Sequence, residues 1–371
     1  MRQLQSLVTP DSMLEVAIVD VERPTPRPHE VLVRVDATPI NPSDLGLLLA
    51  GADLSTVEAS GTDTHPKLTA QIPPAVFATL AGRVGQSMPV GNESAGVVVE
   101  AGDSDEAQAL LGATVAVLGG AMYAEYRCVP VASALRLPDD TDPRDGASMF
   151  VNPLTALAMT ETMQREGHTA LVHTAAASNL GQMLNKICIA DGISLVNIVR
   201  RPCQVDLLRS IGAAYVVDSS ADSFTDDLVA ALTETNATIA FDAIGGGPLA
   251  GQILAAMEAA AVANAEGYSR YGSTTHKQVY IYGGLDRGPT LLTRTFGMSW
   301  SVGGYLLTNF MNEVGPEVAN RLRQRVVDEM HTTFASHYTD ELTLGETLDP
   351  DRVSAYAKQA TGEKVLIRPN A

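Results

Sequence analysis

The chain has 371 residues, enough for two domains or for one large domain with a lobe, and 45% of them are hydrophobic but only 5% aromatic, so its core must be aliphatic and alanine-rich. A net charge of −18 argues against a general electrostatic surface for nucleic acid or anionic lipid and suits a solvated acidic exterior. Three scattered cysteines, Cys128, Cys188 and Cys203, form no C-x-x-C pair; they support neither a disulfide framework nor a structural zinc lobe, and they fit a reducing cytoplasm.

Positions 1–11 lack the charged-then-apolar pattern of a signal peptide, and no run approaches the ~18 apolar residues of a membrane span. The first third reads as β structure. Short β-branched runs at 31–35, 95–99 and 114–118 are bounded by Pro or Gly. Between the first two lies a polar insertion, 51–89, too long for a simple loop; a helix at 74–82 or a mobile lid is expected there.

From about 142 the pattern changes. Residues 143–166 read as a helix, with Asp142 as N-cap and Pro143 at the first helical position. Apolar strands at 170–173, 194–199, 215–217, 238–242 and 279–284 then alternate with helices, among them 204–211, 221–235 and an alanine-rich helix around 255–265. Such alternation predicts an α/β domain with a doubly wound parallel sheet covered on both faces. The final stretch, 315–371, carries helical segments and ends in a strand at 364–367.

In a doubly wound sheet the first β–α turn meets the pyrophosphate of a dinucleotide. Here that turn is Thr174, Ala175, Ala176, Ala177, Ser178, Asn179, Leu180 and Gly181, in which only Gly181 survives from a G-x-G-x-x-G fingerprint. By itself the segment also reads as a plain alanine-rich helix start. Small residues still let a backbone approach a phosphate, and Asn179 tolerates left-handed angles. Ser178 either donates to a phosphate oxygen or caps the helix. The second strand ends in Arg200 and Arg201 instead of the carboxylate that accepts from an NAD ribose. Either these are two solvated loop arginines or they attract a 2′-phosphate, and the second reading selects NADPH over NADH.

Two segments open a family comparison. Asn41-Pro42-Ser43-Asp44-Leu45 and Gly91-Asn92-Glu93 resemble the C-x-x-D and G-H-E segments of zinc alcohol dehydrogenases, in which the Cys and the His bind the metal. A carboxamide is a poor zinc ligand beside thiolate and imidazole, so the chemistry is expected to be metal-free. Further segments follow in order: Ala95-Gly96-Val97-Val98, Tyr123-Ala124-Glu125-Tyr126, Val151-Asn152-Pro153-Leu154-Thr155-Ala156, Phe241-Asp242-Ala243-Ile244-Gly245-Gly246, Tyr282-Gly283-Gly284 and Thr361-Gly362-Glu363-Lys364-Val365. Together they resemble the zinc-independent medium-chain dehydrogenase/reductases, in the branch of NADPH:quinone oxidoreductases and 2-enoyl thioester reductases.

That resemblance implies a GroES-like β-barrel catalytic domain at 1–140 and 308–371, a Rossmann domain at 141–307, substrate in the cleft between them, and a homodimer paired through the last Rossmann strand near 299–306. It implies NADPH as cofactor and no zinc. Asn152 and Thr155 would approach the nicotinamide end, residues 174–181 the pyrophosphate, and Arg200 with Arg201 the 2′-phosphate. Ala243, Ile244, Tyr282, Gly283 and Gly284 would line the cofactor at the strand ends. Lys364 resembles a tail lysine that reaches the cofactor in enoyl reductases; as a bare residue it reads equally as a solvated surface lysine.

The implied reaction is hydride transfer from NADPH to a quinone or α,β-unsaturated carbonyl acceptor, a small molecule whose distal oxygen takes up the charge. Asn41 would orient the acceptor oxygen or the nicotinamide, with Ser43, Asn92, Tyr123 and Tyr126 as secondary contacts. The plainer readings are a turn asparagine before Pro42 and tyrosines packed on the barrel. Two other functions stand beside the first: a 2-enoyl thioester reductase, and a non-catalytic NADPH-binding structural or regulatory protein. Against the thioester reading, 46–60 lacks the tyrosine those reductases carry after the N-P-S-D segment. The glycine-poor turn and the arginine corner look closer to them. Phe296, Met298, Trp300 and Tyr305 read as substrate wall or as dimer core.

Overall fold

Strands that are apolar on both faces must be covered on both sides, and the second half of the chain builds that arrangement in the computed structural model, which describes every residue except Glu266 and Tyr268. The chain divides into two units, Asn152–Arg325 and Met1–Val151 with Val326–Ala371.

The first of these units holds a six-stranded sheet. In spatial order its strands are Tyr215–Asp218, Ser194–Val199, Ala170–His173, Ile239–Asp242, Lys277–Ile281 and Trp300–Gly304, all parallel. In chain order this is 3-2-1-4-5-6, the doubly wound order whose ligand crevice lies beyond the strands' C-terminal ends. Helices Asn179–Asp191, Pro202–Ser210, Phe224–Thr235 and Leu249–Ala263 connect the strands, and Val196, Ala240 and Val279 on the strands and Leu254 on the last helix are fully buried. A short parallel ribbon pairs Gly245–Gly247 with Asp286–Thr290.

The other unit is mainly antiparallel. One sheet runs Asp53–Gly61, Pro66–Gln71, Met13–Asp20, Arg2–Val8, Ser87–Pro89, and a second centres on Glu30–Pro39, which pairs with Glu93–Ala101, Tyr126–Pro130 and the C-terminal Val365–Arg368. The aliphatic core between these strands includes Leu4, Leu14, Leu48, Leu68 and Ile367, each fully buried.

Three expectations are corrected. The helix expected over 143–166 is two helices, Pro143–Gly146, whose N-cap Asp142 accepts from Arg144 N at 2.9 Å, and Val151–Arg165. The break occurs because the N–H groups of Phe150 and Val151 donate to the Glu93 carboxylate instead of extending the first helix. The insertion at 51–89 is no detached lid. It adds the hairpin Asp53–Gly61 and Pro66–Gln71 to the first sheet, hydrogen-bonded to Met13–Asp20. Only a short helix, Pro74–Phe77, followed by a 3₁₀ turn, Ala78–Arg83, stands where the longer helix was expected.

Both unit boundaries fall farther along than the 140/141 and 307/308 read from the sequence. The helix Leu307–Asp328 bends at Gly315 (φ 78°) ahead of Pro316, and its residues up to Arg325 go with the parallel sheet. Ion pairs Arg321–Glu161 and Arg325–Asp191, both 2.7 Å, tie it there. Among the described residues no helix is long and apolar enough to cross a membrane. Cys128 and Cys188 are buried thiols and Cys203 is exposed.

Candidate functional site

Asn41 is the N-cap of the helix Pro42–Leu49, with extended backbone (φ −97°, ψ 155°) and Pro42 at the first helical position. Asp44, at the third position, reaches back so that its Oδ2 accepts from Asn41 N at 2.8 Å. The Asn41 side chain is taken up elsewhere: Nδ2 donates to Glu93 Oε1 at 2.7 Å, and Asn41 is only 1% exposed. The second oxygen of Glu93 accepts from Phe150 N and Val151 N, both at 2.9 Å. A carboxylate can only accept, so the amide orientation is determined by Glu93, and Asn41 Oδ1 is left buried with no partner among the described residues. Asp44 Oδ1 is in the same condition.

Three ionisable groups share this interior. Burial pushes the Glu93 carboxyl up, while the charge of Lys364, the N–H groups of Val151 and Phe150 and the Asn41 amide pull it back. Burial pushes Asp44 up to about 7, and the neighbouring Glu93 charge adds to the shift. Lys364 is held down to about 8 by burial, against the pull of Glu93 and Asp44. It is a buried residue, not a solvated surface lysine: its Nζ donates to Ser336 Oγ at 3.3 Å and lies 5.7 Å from the Tyr338 ring centroid.

The other residues of this unit take different places. Asn92 Nδ2 donates to Ser43 Oγ at 3.0 Å, with Ser43 exposed, so the two motif segments are stitched twice, by Asn41–Glu93 and by Asn92–Ser43. Tyr123 is fully buried and its hydroxyl donates to Pro39 O at 3.1 Å, the packing role. Tyr126 is half-buried, with the Arg23 guanidinium 4.4 Å above its ring.

In the parallel-sheet unit, the first β–α turn explains its own lack of glycine. Of the four residues 174–177 only Ala175 has a positive φ (49°), and the turn accepts that strain on an alanine. Gly181 is indispensable, since a Cβ there would lie 2.2 Å from Ala176 O. Ser178 caps the helix Asn179–Asp191, its Oγ accepting from Gly181 N at 3.2 Å. Leu180 is buried. Asn179 Nδ2 is a buried donor with no partner among the described residues. Helix N–H groups, a close backbone and an unsatisfied donor together fit a phosphate group.

Around the turn, Thr174 Oγ1 donates to Asp242 Oδ1 at 2.7 Å and accepts from Ala243 N at 2.8 Å. Asp242 also accepts from Ile244 N (2.9 Å) and Gly245 N (3.1 Å), which shapes the strand end. A Cβ on Gly283 would lie 2.5 Å from Ala243 O, so Gly283 packs flat there, followed by an exposed Gly284. Arg200 and Arg201 are exposed after the second strand; Arg200 N donates to Gln204 Oε1 at 3.1 Å and Arg201 is the N-cap residue of Pro202–Ser210. Asn152 and Thr155, each 8% exposed, lie in the first turns of Val151–Arg165. Tyr282 is half-buried against His173.

Sequence reasoning passed over Glu93, Asp44 and His173 as individual residues. Glu93 and Asp44 stand inside the quoted motifs, which was the signal available; His173 is marked only by being the polar end of an apolar strand.

The fold and these motifs can be set beside known proteins. No protein-family model matches the chain. A solved putative NADPH:quinone reductase from Mesorhizobium loti is 26% identical, with a TM-score of 0.73, over 100% of this chain and 98% of that one. Escherichia coli quinone oxidoreductase complexed with NADPH shares the fold at 15% identity, with a TM-score of 0.67 over the whole of both chains. The mitochondrial enoyl-[acyl-carrier-protein] reductase of Xenopus tropicalis is 29% identical over 199 residues, 52% of this chain and 49% of that protein. The chain thus spans about half the length of the curated relatives it matches. The architecture is the expected one, a GroES-like β-barrel unit and a Rossmann unit, and its neighbours are quinone oxidoreductases and enoyl reductases of the medium-chain dehydrogenase/reductase family.

Proposed function

We propose that this medium-chain reductase uses NADPH to reduce a quinone or an α,β-unsaturated carbonyl compound without a metal. The observation that carries the reading is the Asn41–Glu93 pair. Where a zinc enzyme of this family would place a thiolate, the chain has a carboxamide, and that carboxamide is pinned by a buried carboxylate. Asn92, in place of the imidazole, is spent on Ser43. Neither is a useful zinc ligand.

NADPH, when bound, supplies the hydride. The residues that fit it are the turn 174–181 with Gly181 and the unsatisfied Asn179 donor for the pyrophosphate, and Arg200 with Arg201 for the 2′-phosphate. Asn152, Thr155, Ala243, Ile244 and Gly283–Gly284 complete the cradle. An alcohol needs a Lewis acid to ionise, whereas a conjugated carbonyl spreads incoming charge onto a distal oxygen, where hydrogen-bond donors suffice. Asn41, buried and held by Glu93, fixes the loop that carries the first motif segment. Asp44, behind it, holds a proton on a carboxyl that titrates near neutrality. We further propose a homodimer formed along the exposed edge near 299–306, in a reducing cytoplasm, with no nucleic-acid or membrane partner.

The second reading, a 2-enoyl thioester reductase, is supported by the half-chain similarity to enoyl-[acyl-carrier-protein] reductases. The missing tyrosine at 46–60 weighs against it. Fluorescence titration with NADPH and NADH tests the reading at its base: saturable NADPH binding, tighter than NADH, is expected. Binding of neither would remove it, and NADPH binding without turnover of any acceptor would leave the non-catalytic function.

A further inference from the structure

Glu93 is 1% exposed and spends both carboxylate oxygens on donors from two distant segments. Its Oε1 accepts from Asn41 Nδ2 at 2.7 Å, and its Oε2 accepts from Phe150 N and Val151 N, each at 2.9 Å. All three partners can only donate, so the group serves them as a carboxylate. Burial opposes that charge, and Lys364 and the donors themselves support it. Val151 is the first residue of the helix Val151–Arg165, so the carboxylate lies on that helix's positive end.

The same bonds decide which donors of the helix start stay open. Of the N–H positions at 150–153, Glu93 takes the first two and Pro153 has none, which leaves Asn152 N. The Asn152 carboxamide, in a residue only 8% exposed, has no hydrogen-bond partner among the described residues. An amide so buried, with its donors and its acceptor open, is a place for a polar ligand. Thr155 stands three residues farther along the same helix.

We infer that Glu93 is a positioning residue for the cofactor: locked to Asn41, its carboxylate fixes the first turn of Val151–Arg165 and so sets where Asn152 and Thr155 stand for the nicotinamide half of NADPH. Glu93 itself does not touch the cofactor, because its oxygens are taken up by protein donors. One rigid group accepts from both segments at once, so the loop that carries Asn41 and the start of the helix cannot shift separately. This rests on the NADPH reading above and on its placing of Asn152 and Thr155.

The test uses the full chain with three titrants: NADPH, reduced nicotinamide mononucleotide, and adenosine 2′,5′-bisphosphate, which carries the adenosine half alone. Glu93→Ala removes the clamp and is expected to weaken NADPH and the mononucleotide about tenfold, while leaving the bisphosphate unchanged. Hydride transfer at saturating NADPH is expected to fall on the order of 100-fold. Glu93→Gln is the rescue. Its amide oxygen keeps both helix N–H groups, and its amide nitrogen meets Asn41, whose own amide turns over to accept. Binding within about threefold of the parent is therefore expected. Glu93→Asp is one methylene shorter, cannot span both segments, and is expected to behave as Glu93→Ala. Should Glu93→Ala not fold, Glu93→Asp against Glu93→Gln decides. Unchanged NADPH binding in folded Glu93→Ala overturns the inference while the NADPH reading stands. Equal weakening of all three titrants makes Glu93 a general support of the fold and overturns it as well. A loss in Glu93→Gln as large as in Glu93→Ala assigns the effect to charge instead of position, with the same result. If the unaltered chain binds no NADPH, both readings fall.

Discussion

Asn41 Nδ2 donates to Glu93 Oε1 across 2.7 Å, and that one bond joins the segment that would carry a metal thiolate to the segment that would carry a metal imidazole. It converts a pair of missing ligands into a structural and electrostatic unit. Asn41→Asp places a second carboxylate against buried Glu93, so it is expected to destabilise the fold by about 3 kcal/mol or to trap a proton between the two groups. Asn41→Ala leaves Glu93 with only its backbone donors and is expected to cost about 1–3 kcal/mol. Thermal unfolding measures both; wild-type stability in Asn41→Asp at neutral pH would contradict the arrangement.

The buried carboxyl of Asp44 makes stability depend on pH in a definite direction. Its folded-state value near 7 lies above that of an unfolded Asp, about 4. Between those values the native state holds more protons than the unfolded chain, so this group's contribution falls as pH rises through the window. Asp44→Asn keeps an acceptor for Asn41 N and removes the titration. Its stability is expected to decline less than that of the parent between about pH 4 and 7, as read by denaturant midpoints. Lys364 acts in the alkaline window. Its value is lowered to about 8, so the unfolded chain binds more protons above that pH, and stability from this group rises toward about pH 10. Lys364→Met should abolish that rise.

The first β–α turn of the parallel sheet separates two kinds of glycine position. Gly181→Ala drives a Cβ to 2.2 Å from the Ala176 carbonyl oxygen, and backbone must move. A loss of about 2–3 kcal/mol together with weakened NADPH binding is expected. Ala175→Gly relieves a left-handed alanine (φ 49°), so it is expected to be neutral or to stabilise by up to about 1 kcal/mol. If Gly181→Ala were silent, the packing account of this turn would be wrong.

Arg200 and Arg201 are expected to discriminate between cofactors. Replacing both with Ala should weaken NADPH on the order of 10- to 100-fold, with little change for NADH, and should reduce the salt dependence of NADPH binding. Equal loss for the two cofactors would refute the 2′-phosphate assignment.

Much of the parallel sheet was legible because its strands are short, apolar on both faces and punctuated by turn residues. Positions 170–173 and 194–199 coincide residue for residue with observed strands, as does 114–118 in the barrel unit. The strand Asp53–Gly61 is not legible in the sequence because most of its residues are exposed, so no apolar alternation announces it. The break before Val151 was invisible for another reason. It is made by a tertiary contact, the Glu93 carboxylate capturing two N–H groups from 57 and 58 residues away. The site follows the same division. Asn41, Asn92 and Gly181 stood out by their places in motifs. The commitment of Asn41 to Glu93, the burial of Lys364 and the pairing of His173 with Tyr282 arise only when distant segments meet. Local sequence carries no trace of them.

The most direct test of the central claim is the steady-state oxidation of NADPH by the purified chain, followed at 340 nm, with a panel of quinones, enones and 2-enoyl thioesters and a chelator present throughout. The account predicts chelator-insensitive turnover with quinones or enones, and little turnover with thioesters. Turnover that the chelator abolishes, or that only 2-enoyl thioesters support, would contradict it.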